Sequence, residues 1–152
     1  MILVHVAQER NIRNVAENNM NKITGATFII MRDSKEMLMQ LRDNNSKRYP
    51  NTWCFPGGTI EPEENEIKTV IREIKEEYEL DIKENDCTEL MIYDLSYGVS
   101  AKVFICKCDG NQNPVLHEGA DMKWVNLKEI QNMQLGFEQE KIMPALENYL
   151  QM

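Results

Sequence analysis

The sequence has no apolar run that approaches the roughly 18 to 20 residues of a membrane-spanning helix. Its apolar start, Met1 to Val6, lacks the basic leader and the small-residue cleavage site of a signal peptide. We therefore expect a strand at Ile2–Val6, no membrane partner and a cytoplasmic protein. The 152 residues contain neither a repeat nor a linker, which predicts one domain over 1–152 with an N-terminal extension, 1–21, of unassigned role.

Cysteine and histidine are scarce, at four and two residues. Cys106 and Cys108 are separated by one residue, whereas a zinc knuckle has two between its ligands, and no second pair follows. Reduced, buried thiols are therefore a better interpretation than a metal site or a disulfide. His5 and His117 have no serine or cysteine partner that the sequence reveals, which argues against a nucleophilic triad.

Basic residues are outnumbered by acidic ones, 17 to 25, and the net charge is −8. An acidic chain repels a phosphate backbone, so we expect no nucleic-acid polymer as a partner. The charge is concentrated between Glu61 and Glu84, where ten residues are acidic and four are basic. A solvated helix face and a cation-binding site both explain such a patch, and composition alone favours the solvated face.

Apolar periodicity divides the chain into strands and helices. Paired apolar segments predict two hairpins, Ile23–Met31 with Met37–Leu41 and Glu89–Leu95 with Val99–Cys108. A short strand is expected at Met122–Val125. Amphipathic patterns predict a central helix from Pro62 to about Tyr78 and a terminal helix at Gly136–Tyr149. Strands on both sides of a central helix, with a closing helix, indicate an α+β or α/β sandwich.

One edge of the central helix carries carboxylates one turn apart. On a helical wheel of about 100° per residue, Glu73, Glu76 and Glu77 lie beside the apolar face. Like charges at this spacing destabilise a helix. A Mg²⁺ ion, which prefers oxygen ligands, explains the arrangement better than solubility does. The preceding Gly57-Gly58 segment can add a carbonyl ligand, because glycine lets the main chain approach a ligand closely.

Residues 58–80, GTIEPEENEIKTVIREIKEEYEL, resemble the Nudix box of the MutT-like hydrolases. Eight of its nine specified positions are in register: Gly58, Glu64, Arg72, Glu73, Ile74, Glu76, Glu77 and Leu80. The resemblance extends over residues 22–150. It implies an α+β fold, an α/β/α sandwich with a mixed central sheet between helices. It also implies an Mg²⁺-dependent hydrolase, with Mn²⁺ as the alternative ion, that cleaves a diphosphate linkage.

The resemblance assigns metal-binding and catalytic roles to the box. The metal ligands would be the carbonyl of Gly58 and the carboxylates of Glu73, Glu76 and Glu77. In some family members the residue matching Glu73 is instead the catalytic base. Glu118 is the nearest match to a downstream acid that joins the metal site or acts as the base; an ordinary surface glutamate is the other interpretation.

The resemblance also assigns supporting residues. Glu64 and Arg72 would hold the loop and the helix together through charge-assisted hydrogen bonds. Arg42 stands where the family often has an arginine that contacts substrate phosphate, and a strand-end charge is the alternative. Glu79 replaces the box glycine, which commonly ends the helix in a left-handed conformation. We therefore expect a differently shaped helix end, with Glu79 still in the last turn and the ligands unaffected.

Substrate choice is left open by the sequence. Nucleoside triphosphates (oxidised ones included), ADP-ribose and nucleotide sugars all contain the required diphosphate linkage. A diphosphate isomerase and a decapping-type enzyme of the same superfamily are competing interpretations. A catalytically silent Nudix-like nucleotide-binding or regulatory module is a third, against which the retained box carboxylates argue. Many family members are dimers, which makes a homodimer a candidate assembly.

Overall fold

The computed structural model describes residues 22–152, so the predicted strand at Ile2–Val6 and the extension 1–21 lie outside the described residues. The strands are β1 Lys22–Met31, β2 Met37–Leu41, β3 Trp53–Cys54, β4 Gly57–Thr59, β5 Cys87–Asp94, β6 Val99–Lys107 and β7 Asp121–Val125. The α-helices are α1 Glu66–Tyr78, α2 Leu127–Ile130 and α3 Met143–Gln151, with 3₁₀ turns at Glu84–Asp86 and Gln139–Ile142. Within residues 22–152, no helix is long and apolar enough to cross a membrane.

The seven strands form one mixed sheet in the order β3-β2-β1-β6-β5, with β4 also pairing with β1 and β7 with β2. The central pair, β1 and β6, is parallel and runs from Lys22 opposite Val99 to Met31 opposite Lys107. Both predicted hairpins, β1–β2 and β5–β6, are confirmed as antiparallel pairs. The predicted α+β class with a mixed sheet is therefore correct.

Strand β1 is buried on both faces of the sheet, because its side chains alternate between two apolar clusters. Ile29 and Met31 pack with Leu146 of α3 in one cluster. Phe28 and Ile30, on the other face, pack in a second cluster that includes α1. The sheet thus separates the box helix from the terminal helix, as expected for an α/β/α sandwich.

The four cysteines are free, and three are buried as predicted: Cys54, Cys106 and Cys108. Cys87 is half-buried. It lies directly opposite Cys106 on the neighbouring strand. Burial raises the pKa of the Cys54 and Cys108 thiols, which keeps them protonated and makes them poor nucleophiles.

The box helix begins at Glu66, four residues after the predicted start at Pro62. Asn65 is the N-cap, and its side-chain oxygen accepts a hydrogen bond of 2.9 Å from the backbone N–H of Lys68. Pro62 instead lies in a turn that the backbone hydrogen bond from Glu64 to Glu61 closes. The sequence argument was wrong here because an N1 proline and an asparagine N-cap are both ordinary helix starts.

The terminal helix also begins later than predicted. The expected start was Gly136, but α3 starts at Met143 after the 3₁₀ turn. Phe137 and Glu138 have φ angles of 56° and 55°, which no right-handed helix accommodates. The chain therefore turns at these two residues, just before α3. Ahead of the turn, the backbone N–H of Trp53, in strand β3, donates to the carbonyl of Gln134.

Candidate active site

Helix α1 is fixed in rotation by its apolar face. Val70, Ile74 and Tyr78 are fully buried against the sheet. The adjoining edge therefore faces β4 and the cavity beside it, with Glu73 next to Gly58 and Glu77 on the cavity wall. Glu76 does not line the cavity: its side chain is 58% exposed and lies 3.3 Å from Arg72.

Gly58 lies against the carboxylate of Glu73. In β4 it pairs with Ala26 of β1, and a Cβ atom at this position would come within 2.5 Å of Cγ and 2.6 Å of Oε1 of Glu73. A side chain at position 58 would therefore displace the Glu73 side chain, because real Cβ contacts are not that short. Burial raises the pKa of Glu73, while the guanidinium of Arg72 opposes that shift. The backbone of the loop and a box carboxylate are thereby held side by side.

Arg72 joins the loop to the helix. Its Nε and Nη2 donate to the two carboxylate oxygens of Glu64 at 2.6 and 2.8 Å. Its Nη1 donates to Glu73 at 2.9 Å and to Glu76 at 3.3 Å. These hydrogen bonds hold the pKa of Glu64 at about 2, well below its usual range. The structure thus joins Arg72 to Glu64, as the resemblance implies, and also to the box carboxylates Glu73 and Glu76.

Glu118 lies opposite Glu77 across the site. Both residues line the cavity, and burial, followed by the neighbouring Glu118 carboxylate, raises the pKa of Glu77 to about 7. The backbone of Glu118 is also held in place, since its carbonyl accepts a 2.8 Å hydrogen bond from Nε2 of Gln40. Glu118, to which only the family resemblance pointed, thus lies beside the box carboxylate Glu77.

Arg42 follows the end of β2 and lines the same cavity. Its Nη2 donates to the carbonyl of Arg48 at 3.1 Å, and its guanidinium lies 5.0 Å from the centre of the Phe137 ring. Its Nε is buried and has no hydrogen-bond partner within the described residues, 22–152. A buried donor without a partner is costly, so an anionic oxygen in the cavity would stabilise this side chain.

The cavity has a volume of about 540 Å³. Four of the residues that line it were not singled out as site residues from the sequence: Arg48, Tyr97, Phe137 and Gln139. Arg48 stacks on the ring of Tyr97 with 4.5 Å between guanidinium and ring centre. Gln139 is buried and hydrogen-bonds both the N–H and the carbonyl of Phe55, at 2.7 and 3.0 Å. Arg48 and Tyr97 lie in the loops 43–51 and 95–100, which the sequence predicts to set substrate choice, whereas no local pattern signals Phe137 or Gln139.

The donor set suits a hard divalent cation, although within residues 22–152 no three acidic, histidine or cysteine side chains converge as a formed metal site. Arg72 draws Glu73 and Glu76 towards its guanidinium. Glu77, in contrast, lies near Glu118, and burial followed by the Glu118 charge raises the pKa of Glu77 to about 7, so that it binds a proton readily. A cation in place of that proton would remove the repulsion between two carboxylates. The residues therefore fit Mg²⁺.

The helix end differs from the expectation for Glu79. This residue is not in the last turn; it is the C-cap, with φ 55° and ψ 33°, and its N–H donates to the carbonyl of Lys75. Glu79 thus adopts the left-handed conformation for which the box normally has glycine, at a cost of about 1 kcal/mol. Its carboxylate lies 2.7 Å from Nε2 of His117. The helix ends as glycine would end it, and it gains a side-chain contact.

Comparison with known proteins identifies the family behind this geometry. A family model described as the NUDIX domain matches residues 22–146. The chain belongs to the Nudix family. A curated relative, the dihydroneopterin triphosphate diphosphatase of Haemophilus influenzae, is 32% identical over 121 residues, which cover 69% of this chain and 74% of that protein. The resemblance of residues 58–80 to the Nudix box is thus confirmed.

Solved structures share the Nudix fold at low sequence identity. One, from a study of MutT from Aliivibrio salmonicida and Vibrio cholerae, has a TM-score of 0.69 and 19% identity, covering 81% of this chain and 94% of that one. The NUDIX domain of Shewanella oneidensis NrtR, in complex with ADP ribose, has a TM-score of 0.69 and 17% identity, covering 86% and 90%. As a Nudix protein related to a diphosphatase, the chain is a hydrolase of diphosphate anhydride bonds.

Proposed function

We propose that this Nudix hydrolase is Mg²⁺-dependent and cleaves a nucleoside-type triphosphate, releasing a monophosphate and pyrophosphate. One observation carries the proposal: Gly58, Glu77, Glu118 and Arg42 line a single cavity. Carboxylate and carbonyl oxygens suit Mg²⁺, and a guanidinium suits phosphate. The name of the Haemophilus relative supports a triphosphate on an aromatic heterocycle. ADP-ribose and nucleotide sugars are the second and third substrate classes.

The residues in and beside the cavity have different proposed roles. The Gly58 carbonyl with Glu73, Glu76 and Glu77 would hold the ion. When bound, Mg²⁺ supplies charge neutralisation at the phosphate oxygens and a more acidic water. Glu118, held against Glu77, accepts a proton from the attacking water, with Glu73 as the second candidate base.

Other residues that line the cavity orient the substrate. Arg42, whose buried Nε has no partner within residues 22–152, donates to a phosphate oxygen and so holds the leaving pyrophosphate. Tyr97 and Phe137 provide aromatic faces for the heterocycle. Such orientation places the scissile anhydride beside the Glu77–Glu118 pair. We also propose a cytoplasmic location, which the four free cysteines support because a reducing compartment preserves thiols.

A substrate panel tests the proposal. The full chain is incubated with Mg²⁺ and, separately, dihydroneopterin triphosphate, canonical and oxidised nucleoside triphosphates, ADP-ribose and nucleotide sugars, and pyrophosphate and monophosphate are measured. We expect pyrophosphate from one class of triphosphate and no product in EDTA. Orthophosphate as the first product, or turnover that EDTA does not affect, would contradict the mechanism. Mg²⁺ binding without turnover of any substrate would favour the silent nucleotide-binding module.

A matched pair of double variants tests whether the activity depends on the box carboxylates. Glu76→Gln with Glu77→Gln should lower kcat by at least about a hundredfold, because charge stabilisation at the reacting phosphate is lost. Glu63→Gln with Glu84→Gln removes the same two charges from exposed positions outside the cavity and should retain activity. Circular dichroism verifies that both proteins are folded. Full activity in the first variant would refute the assignment of the box carboxylates.

A further inference from the structure

The end of helix α1 is completed by a distant segment, Val115 to Gly119. The last carbonyls of a helix have no partner within the helix. Here the N–H of Val115 donates to the carbonyl of Tyr78 at 2.9 Å, and the N–H of His117 donates to that of Glu77 at 3.2 Å. The segment therefore lies along the helix terminus, and the residue after His117 is Glu118, which faces Glu77.

The same segment is attached to the sheet by Gln40. Nε2 of Gln40 donates to the carbonyl of Glu118 at 2.8 Å, and its Oε1 accepts from the hydroxyl of the buried Tyr78 at 2.6 Å. Gly119, at φ 93°, lies so close to Gln40 that a Cβ would come within 2.5 Å of its Nε2. The C-terminal side of Glu118 is thus held by the sheet.

On the N-terminal side of Glu118, Leu116 packs against the second apolar cluster, and the side chain of His117 makes a 2.7 Å contact with Glu79. A glycine at position 79 would end the helix without strain but would leave His117 without this partner. The chain instead has a glutamate in the left-handed conformation, with its carboxylate on the imidazole. An exposed pair of this kind stabilises a fold very little. The position of the pair is more informative than its energy. Glu79 follows the box carboxylate Glu77 by two residues, and His117 directly precedes Glu118.

We propose that Glu79 and His117 are positioning residues that hold Glu118 against Glu77 in the Nudix site. The proposal rests on the role of Glu118 in the proposed function. Both residues are about half exposed and neither lines the cavity, so they act through the backbone of the 115–119 segment and not on the substrate. Without the contact, the N-terminal side of Glu118 keeps the backbone hydrogen bonds and the packing of Leu116 but loses the attachment next to Glu118, and its carboxylate spends less time opposite Glu77.

Substitution of Glu79 by glycine separates positioning from stability. Glu79→Gly relieves the backbone strain, so its melting temperature should equal or exceed that of the wild type. We expect its kcat to fall three- to fivefold, or its Mn²⁺ dissociation constant to rise by that factor, with KM unchanged. Glu79→Gln keeps a hydrogen bond to the imidazole and should restore both values to within twofold. His117→Ala should match Glu79→Gly, and the double variant should be no worse than either.

The control is the other exposed ion pair at this helix end. Asp81 lies 2.9 Å from Lys75 but does not contact the 115–119 segment, so Asp81→Ala should leave kcat and Mn²⁺ affinity unchanged. Wild-type values of both kcat and Mn²⁺ affinity in Glu79→Gly would overturn the positioning role. If the wild-type chain binds Mn²⁺ but hydrolyses nothing, the proposed function is overturned but the positioning role is not. The Mn²⁺ affinities of the variants still test whether the Glu79–His117 contact positions Glu118.

Discussion

Arg72 is the residue on which the loop and the helix converge, and Glu64 is its principal partner. Two short hydrogen bonds join them, and the Glu64 carboxylate also accepts from the hydroxyl of Thr69 at 2.8 Å. Such a carboxylate is stabilised in its charged form, which explains the low pKa. The consequence is a stability contribution that depends on pH.

Protonation of Glu64 should remove that contribution in acid. Its pKa is about 2 in the folded chain and near the ordinary value of 4.5 when unfolded. The contribution is therefore complete above about pH 5 and is lost as the pH falls towards 2. The free energy of unfolding, measured with urea, should be higher for the wild type than for Glu64→Gln at pH 6. This difference should shrink steadily between pH 5 and pH 3.

Glu63→Gln is the control, since Glu63 is exposed and its neutralisation removes an adjacent charge. Its difference from the wild type should change much less with pH. A difference for Glu64→Gln that stays constant from pH 6 to pH 3 would contradict the low pKa.

Individual site residues could be predicted where their chemistry lies within one stretch of chain. The spacing of Glu73 and Glu77 is local, so a helical wheel places them on one edge, and Gly58 belongs to the same box motif. The contact of Gln139 with Phe55 was not predictable, because it joins two loops that no local pattern relates. Glu118 is intermediate: only the resemblance pointed to it, and its contact with Glu77 is visible only in the structure.

At the scale of elements, the start of helix α1 depends on one side chain. Asn65→Ala should lower the free energy of unfolding by about 1 kcal/mol, because the N–H of Lys68 loses its acceptor. Asn65→Asp retains an acceptor and should cost much less. Urea unfolding followed by circular dichroism measures both. Asn113→Ala, in an exposed loop, is the control; an equal loss there would show that the effect is not capping.

The errors in predicting elements came from backbone conformations that tertiary contacts stabilise. Phe137 and Glu138 have positive φ although neither is glycine. The ring of Phe137 packs 4.8 Å from that of Tyr49, and the next residue, Gln139, binds the backbone of Phe55. These contacts offset local strain, so the amphipathic pattern alone overestimated the length of the terminal helix. Glu79 was mispredicted for the same reason.

At the scale of the molecule, the two faces of the sheet should respond differently to cavities. Leu146 and Ile74 are both fully buried, on opposite faces. Replacing either by alanine should cost about 2–5 kcal/mol of unfolding free energy. Leu146→Ala should keep its Mn²⁺ affinity at 20 °C, while Ile74→Ala should weaken it, because Ile74 sets the rotation of the helix that carries Glu73 and Glu77. Thermal melting and metal titration measure both effects; equal losses of affinity would contradict this separation.

The sheet order was only partly predictable. Both hairpins follow from short connections, but the parallel pairing of β1 with β6 joins strands separated by residues 32–98, which include the whole box. Periodicity reveals that a strand is buried on both faces without revealing its neighbours. The single domain over 1–152 and the homodimer both stay predictions.

That central parallel pair has a consequence for the chain during its synthesis. A ribosome releases β1 well before it makes Val99–Lys107, the strand that covers one of its edges. Until then, an apolar β-branched segment has unpaired backbone groups and no sheet face to cover its side chains. The nascent chain therefore carries this edge of β1 unpaired until residues 99–107 have been translated, which is when a holding chaperone would matter most.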